Sequence, residues 1–311
     1  MKYLITTPLL LCLLGTLVLN NTSAQNSEPW VEVSSNADYF HISMPLQPKE
    51  ENQTSRYGEL DVNGKRYGSS AEGASYTVWA LINPNYKSTR DPDEYLDATA
   101  DLIWEALLKP DRDKLPDDRR ARAAMTYVKD LPAKPLPGRE YSLAIGELAG
   151  TTRFYIADAR IFVLLAMNSP GGVWASERFF ASFATLPSLP VPPSQYEDPI
   201  GAGTRGPSAD PNDYNRVFRV SEVTQRARVL KKPEPTYTES ARKYSITGTV
   251  VLRAVFSQDG EVTNIFVVRK LPHGLTQQAL KAARAIRFTP AMKDGRPVSM
   301  YIQLEYNFNL Y

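Results

Sequence analysis

Cysteine is almost missing from this chain. Cys12 is the only one in 311 residues, and it lies inside an apolar N-terminal run. Beyond that run no disulfide, thiolate nucleophile or cysteine-based metal site is available. Histidine is nearly as scarce. His41 falls in a strand pattern and His273 in a loop before a helix, and neither has Asp, Glu or His neighbours at ligand spacing. No G-x-S-x-G, H-E-x-x-H or Walker sequence occurs. The residues therefore predict no catalytic set, no metal and no cofactor. Net charge is only +2, which excludes a chain-wide polyelectrolyte partner such as nucleic acid.

Long apolar runs are also missing, with one exception. The N-terminus reads MKYLITTPLLLCLLGTLVLNNTSAQ. Lys2 is followed by an apolar stretch of about 17 residues, short for a bilayer span. Thr22-Ser23-Ala24 then supplies small residues where a signal peptidase cuts, so cleavage before Gln25 and export to the periplasm are expected. The alternative is an uncleaved inner-membrane anchor facing the periplasm.

Length predicts two domains. The expected organisation is a signal peptide at 1–24, an α+β domain of unknown role at 25–188, a Pro-rich linker at 189–221 and a second α+β domain at 222–311. Seven prolines fall between 187 and 211, and no apolar periodicity survives there. Gly201, Gly203 and Gly206 match G-x-G-x-x-G, but the match lacks the flanking strand and helix that a dinucleotide site requires.

In the first domain, strands are expected at Tyr39–Pro45, Gly58–Arg66, Ala74–Leu81, Met125–Lys129, Tyr141–Gly146, Thr152–Ile156 and Ile161–Met167. Asn63-Gly64 reads as a hairpin turn. Asp93–Leu108 is a helix pattern closed by Pro110, and the acids at 91, 93 and 94 mark its start rather than a calcium site. Residues 112–122 read as an exposed connection. Pro137-Gly138-Arg139-Glu140 has the residue types of a tight turn with an exposed charge pair. Trp174–Phe183 reads as a final helix with Phe179, Phe180 and Phe183 inward. The stretches FHISMP, LPGREYSLAIG, GTTRFYIADARIFVL and FFASF, in that order, resemble the exported PsbP-like domains of bacteria. That resemblance implies an antiparallel sheet with helices on it and assigns no activity.

The second domain is more sharply patterned. Val250, Leu252, Ala254 and Phe256 alternate along one strand, Asp259-Gly260 signals a turn, and Glu261–Arg269 is the return strand. Leu275, Ala279, Ala283 and Ile286 make a helix stripe, with Thr276 as candidate N-cap and Pro290 as stop. Val298, Met300, Ile302, Leu304, Tyr306 and Phe308 then alternate with Ser299, Tyr301, Gln303, Glu305, Asn307 and Asn309. The expected order is α-β-β-α-β, a three-stranded antiparallel sheet carrying a helix, with a spare edge that must be protected or used. From Glu222 to Tyr311 there are 14 basic and 7 acidic residues, a local balance of +7.

Pro233, Pro235 and Tyr237 lead into this domain, a short helix follows, and Gly248, Asp259, Gly260, Phe288 and Pro290 recur in a fixed order. Together with the Asp294-Gly295-Arg296-Pro297 turn, these residues resemble the TonB C-terminal domain over residues 222–311. The resemblance implies a periplasmic module that binds outer-membrane transporters, or other envelope proteins, in TonB-dependent transport. It implies docking by strand addition beside the last strand, Val298–Phe308, with Ser299, Tyr301, Gln303, Glu305 and Asn307 near the partner. A homodimer through the same edge, in a non-transducing adaptor, is the other reading. Energy transducers of the family keep an uncleaved N-terminal helix bearing a histidine, and residues 1–24 here contain none.

Overall fold

The computed structural model describes residues 30–86, 91–132, 136–172, 175–186, 214 and 216–310. The expected signal peptide, the first part of the expected linker with its three glycines, and Trp174 lie outside the described residues. The chain forms two compact units, 1–193 and 194–311.

The first unit is α+β. Its strands are β1 (Val31–Ser35), β2 (Phe40–Met44), β3 (Lys49–Tyr57), β4 (Leu60–Ala71), β5 (Ala74–Ile82), β6 (Ala124–Leu131), β7 (Gly138–Ile145), β8 (Leu148–Ala157), β9 (Arg160–Asn168) and β10 (Ala184–Thr185). Its helices are α1 (Pro92–Leu102), α2 (Lys109–Asp113), α3 (Asp117–Arg120) and α4 (Ser176–Ala181). A seven-stranded antiparallel sheet runs β3-β4-β5-β9-β8-β7-β6, and β1-β2-β10 make a second, small sheet. Phe40, Ile42 and Met44 from the small sheet pack with Val78, Phe162, Leu164 and the α4 residues Phe179 and Phe180 in one core.

Several expectations for this unit need correction. Asn63-Gly64 lies in the middle of β4, not at a turn. The chain reverses at Gly58, whose φ is 57°, while Gly64 serves close approach: a Cβ there would stand 2.0 Å from the Ala80 carbonyl oxygen. The long helix starts as expected, with the Asp91 carboxylate accepting the Asp93 N–H at 2.9 Å. It then widens into a π-helical turn at Ile103–Leu107. Pro110 does not close it; Pro110 sits in the first turn of α2, where its missing N–H costs nothing. The 112–122 connection contains the end of α2 and all of α3.

Pro137-Gly138-Arg139-Glu140 is the largest reversal. Gly138, Arg139 and Glu140 open β7, and the Arg139 side chain is fully buried. Its Nε donates to Asp130 at 3.0 Å, and its Nη atoms meet Asp97 and, at 3.6 Å, Asp93. Two acids of α1 and one of β6 thus tie that helix to the sheet, so the arginine is inside because its partners are there.

The second unit contains β11 (Val217–Phe218), a 3-10 turn at Val220–Glu222, β12 (Arg228–Lys231), α5 (Glu239–Lys243), β13 (Gly248–Phe256), β14 (Val262–Arg269), α6 (Leu275–Arg284), β15 (Arg287–Thr289), β16 (Ala291–Lys293) and β17 (Arg296–Phe308). The sheet has five strands, not three: β11-β17-β13-β14 with β16 also on β17. The antiparallel centre β17-β13-β14 is the expected one. Val250, Leu252, Ala254 and Phe256 are wholly buried, as are Leu275, Ala279 and Ala283 of α6. Phe288 stacks on Phe256 with centroids 3.9 Å apart.

Details at the element ends differ. Thr276 is not the N-cap of α6; Gly274, with φ 78°, takes that place, and the buried Thr276 hydroxyl bonds the backbone of Leu271 instead. Helix α6 ends at Arg284, six residues before Pro290, which separates β15 from β16. Asp259-Gly260 belongs to a loop between β13 and β14 closed by Ser257 N–H to the Glu261 carbonyl at 2.9 Å.

Candidate functional site

Strand β17 pairs with β13 over nine residues, from Met300 opposite Phe256 to Phe308 opposite Gly248. The other side of β17 is the place to look for a partner. Backbone groups of every second residue in a strand point the same way. The Glu305 carbonyl points away from β13, because it accepts the Lys232 ammonium at 2.6 Å. Tyr301, Gln303 and Asn307 share its direction. No described strand covers these four residues on that side.

Both ends of this open stretch are occupied. At the first end, β11 lies parallel to β17, with Val217 opposite Ser299 and Phe218 opposite Met300. At the other, Lys232 crosses the edge and also lies 4.5 Å above the Tyr306 ring. Lys232 forms no ion pair with a described carboxylate within 4.0 Å.

The predicted contact residues divide accordingly. Val298 is buried and pairs with Ala291 in the β16–β17 hairpin, so its side chain faces the core. The Ser299 hydroxyl accepts the Gln258 N–H at 3.1 Å and sits beside β11. Tyr301 is half-buried; Gln303, Glu305 and Asn307 are exposed. Gln303 donates to Glu305 at 3.0 Å, and Asn307 accepts from Thr249 at 2.7 Å. On the inner side of the strand, Leu304 and Tyr306 are buried.

The lead-in residues frame the same edge. Pro233 and Pro235 keep the chain extended between Lys232 and Tyr237. The Tyr237 hydroxyl donates to the Ile246 carbonyl, and its ring meets Phe308 edge-on at 5.8 Å. Gly248 starts β13 with φ 143° and a Leu271 methyl 3.1 Å from where a Cβ would be.

Neither β11 nor the Lys232 contact was foreseen from the residues. The part of the expected linker from Arg216 onward is ordered into β11 and the 3-10 turn. Two residues carry no period, so β11 left no pattern to read. His273 is also buried, its Nδ1 2.7 Å from the Ser240 hydroxyl and its ring 4.5 Å from Tyr244. It joins α5 to the loop before α6. No group of three His, Cys, Asp or Glu among the described residues is placed to hold a metal.

An α–β–β–α–β core whose last strand is long and half open is now in view. Residues 233–310 match the family model of the Gram-negative bacterial TonB protein C-terminal. The TonB match thus takes in Pro233 through β17 and leaves out β11, β12 and Lys232. Two solved structures are similar to parts of the chain. One is the TonB C-terminal domain of Pseudomonas aeruginosa, at 20% identity over 31% of this chain and 96% of that one, with a TM-score of 0.26. The other is the cyanobacterial PsbP protein CyanoP from Synechocystis sp. PCC 6803, at 11% identity over 54% and 98%, with a TM-score of 0.34. No curated protein matches the chain.

Proposed function

We propose that the C-terminal unit is a TonB-type protein-binding module of the bacterial envelope. It docks an extended segment of an outer-membrane transporter, or of another envelope protein, by strand addition to β17 between Tyr301 and Asn307. The observation that carries this reading is the outward-facing, strand-free backbone of Tyr301, Gln303, Glu305 and Asn307 beside a fully paired β13. Each new backbone hydrogen bond is worth about 0.5–1.5 kcal/mol, so an added strand gains affinity bond by bond and selectivity from alternate side chains. The domain works in the periplasm after export through residues 1–24. Transmembrane transport driven by an energy transducer requires that those residues stay attached.

A photo-crosslinking residue at Gln303 of the full chain tests the reading in intact envelopes. Adducts with a transporter or another envelope protein are expected from Gln303 and not from Lys281, which is exposed on α6. Equal adducts from both positions, or none, would defeat the docking edge. An adduct with a second copy of the chain would favour a self-associating adaptor.

A further inference from the structure

Tyr214 and residues 216–225 precede the family match, yet they are built onto its sheet. Phe218 is fully buried against Ala291, Val298 and Met300. The Arg216 guanidinium lies 4.0 Å over its ring, and the Lys293 ammonium is 5.7 Å away. Arg216 also bonds Glu222 at 2.8 Å, and the second Glu222 oxygen accepts the Arg219 N–H at 2.7 Å. Further along, the Thr224 and Gln225 N–H groups donate to the Met292 carbonyl at 2.8 and 2.9 Å, and the Met292 N–H returns a bond to Gln225 at 2.8 Å. The Asp294 N–H donates to the Thr224 hydroxyl at 3.0 Å, and Tyr214 donates to the Asp294 carboxylate at 3.2 Å. One buried aromatic with hydrogen bonds on both sides of it makes a fixed strap.

The strand beneath the strap is a hazard without it. Strand β17 is 13 residues long, alternates apolar and polar residues, and lies beside an open edge. Long regular edges of this kind template pairing with another copy. The longest two-fold antiparallel pairing of outward residues would centre on Gln303, setting Asn307 of one copy opposite Ser299 of the other. Val217 already fills that place. Moving the axis to Leu304 shortens the pairing to Tyr301–Asn307, because β11 keeps Ser299 and Met300.

We infer that Tyr214 and residues 216–225 are an intramolecular edge plug. The chain supplies its own short strand at Ser299–Met300, so that β17 does not pair with a second copy and an added strand is confined to Tyr301–Asn307. The confinement rests on the docking reading above; the block on self-pairing does not.

Sedimentation velocity on the full chain, with residue-resolved amide exchange, tests the plug without any partner. Phe218→Asp expels the strap. The variant is expected to sediment as a dimer or larger species, with the Ser299 amide exposed at low concentration and protected again at high concentration. Phe218→Ala, which adds no buried charge, should show the same change in weaker form and decides the matter if Phe218→Asp unfolds. A released strap in a chain that stays monomeric would overturn the inference. So would a wild-type chain that already self-associates through a Gln303→Cys crosslink. Since no partner enters the assay, its failure leaves the docking edge standing, and loss of the docking edge leaves this result standing.

Discussion

Tyr306 carries a buried hydroxyl with no hydrogen-bond partner among the described residues. Burial, reinforced by Glu234, pushes its pKa up to about 12. The folded state therefore holds the proton more tightly than the unfolded one. This preference costs nothing below the unfolded value near 10, and stability falls as pH rises from there toward the folded value. Tyr306→Phe removes the stranded hydroxyl and keeps the ring under Lys232. A gain of about 1 kcal/mol is expected, with loss of this part of the alkaline decline, read by chemical denaturation followed at β17 amides. Arg139 presents a different case, a buried charge ringed by Asp93, Asp97 and Asp130, with only its Nη2 lacking a hydrogen bond among the described residues. Arg139→Met leaves Asp93, Asp97 and Asp130 facing one another and should cost about 3 kcal/mol or more in a urea melt. The sequence around Arg139 was misleading for a simple reason. Pro-Gly-Arg-Glu has the composition of a turn, and what draws the arginine inward is a set of acids nine to 46 residues away.

At the level of elements, the strands of the C-terminal unit were legible and their neighbours were not. Alternation from Val298 to Phe308 predicts a strand and its faces, because side-chain direction has a strict period of two. Nothing in that period says which side of the strand is covered. The answer lies with Val217, Phe218 and Lys232, all outside the patterned stretch. Asn63-Gly64 failed for a related reason: a glycine that lets two strands approach looks the same in sequence as one that turns a hairpin. The strap also has a pH dependence of its own. A hydrogen bond from Arg216, then one from the Arg219 N–H, holds the Glu222 carboxyl below its ordinary value of 4.5. A lowered folded pKa adds stability above the ordinary value and loses it as pH falls through the folded value. The strap should therefore loosen in acid below about pH 4.5, seen as movement of the Val217 and Phe218 amide resonances. Glu222→Gln should remove that acid dependence.

For the whole molecule, the α+β class and the antiparallel centre of each large sheet were readable, while the contacts that set each unit's edges come from residues far apart in the chain. What the proposed docking would accomplish depends on the other end of the molecule. A strand-addition module transmits force only if it is tethered; cut free, it captures, buffers or bridges. Lys2, the short apolar stretch and Thr22-Ser23-Ala24 predict a cut before Gln25. Mass spectrometry of the chain isolated from cell envelopes should find a mature N-terminus at Gln25, and fractionation should recover the chain with soluble periplasmic protein. An intact Met1 in the membrane fraction would reverse that expectation. It would tie the open edge at Tyr301–Asn307 to the inner membrane and make the chain a candidate energy transducer. The docking proposed at β17 is the same in both cases, so the state of the N-terminus separates binding coupled to pulling from binding alone.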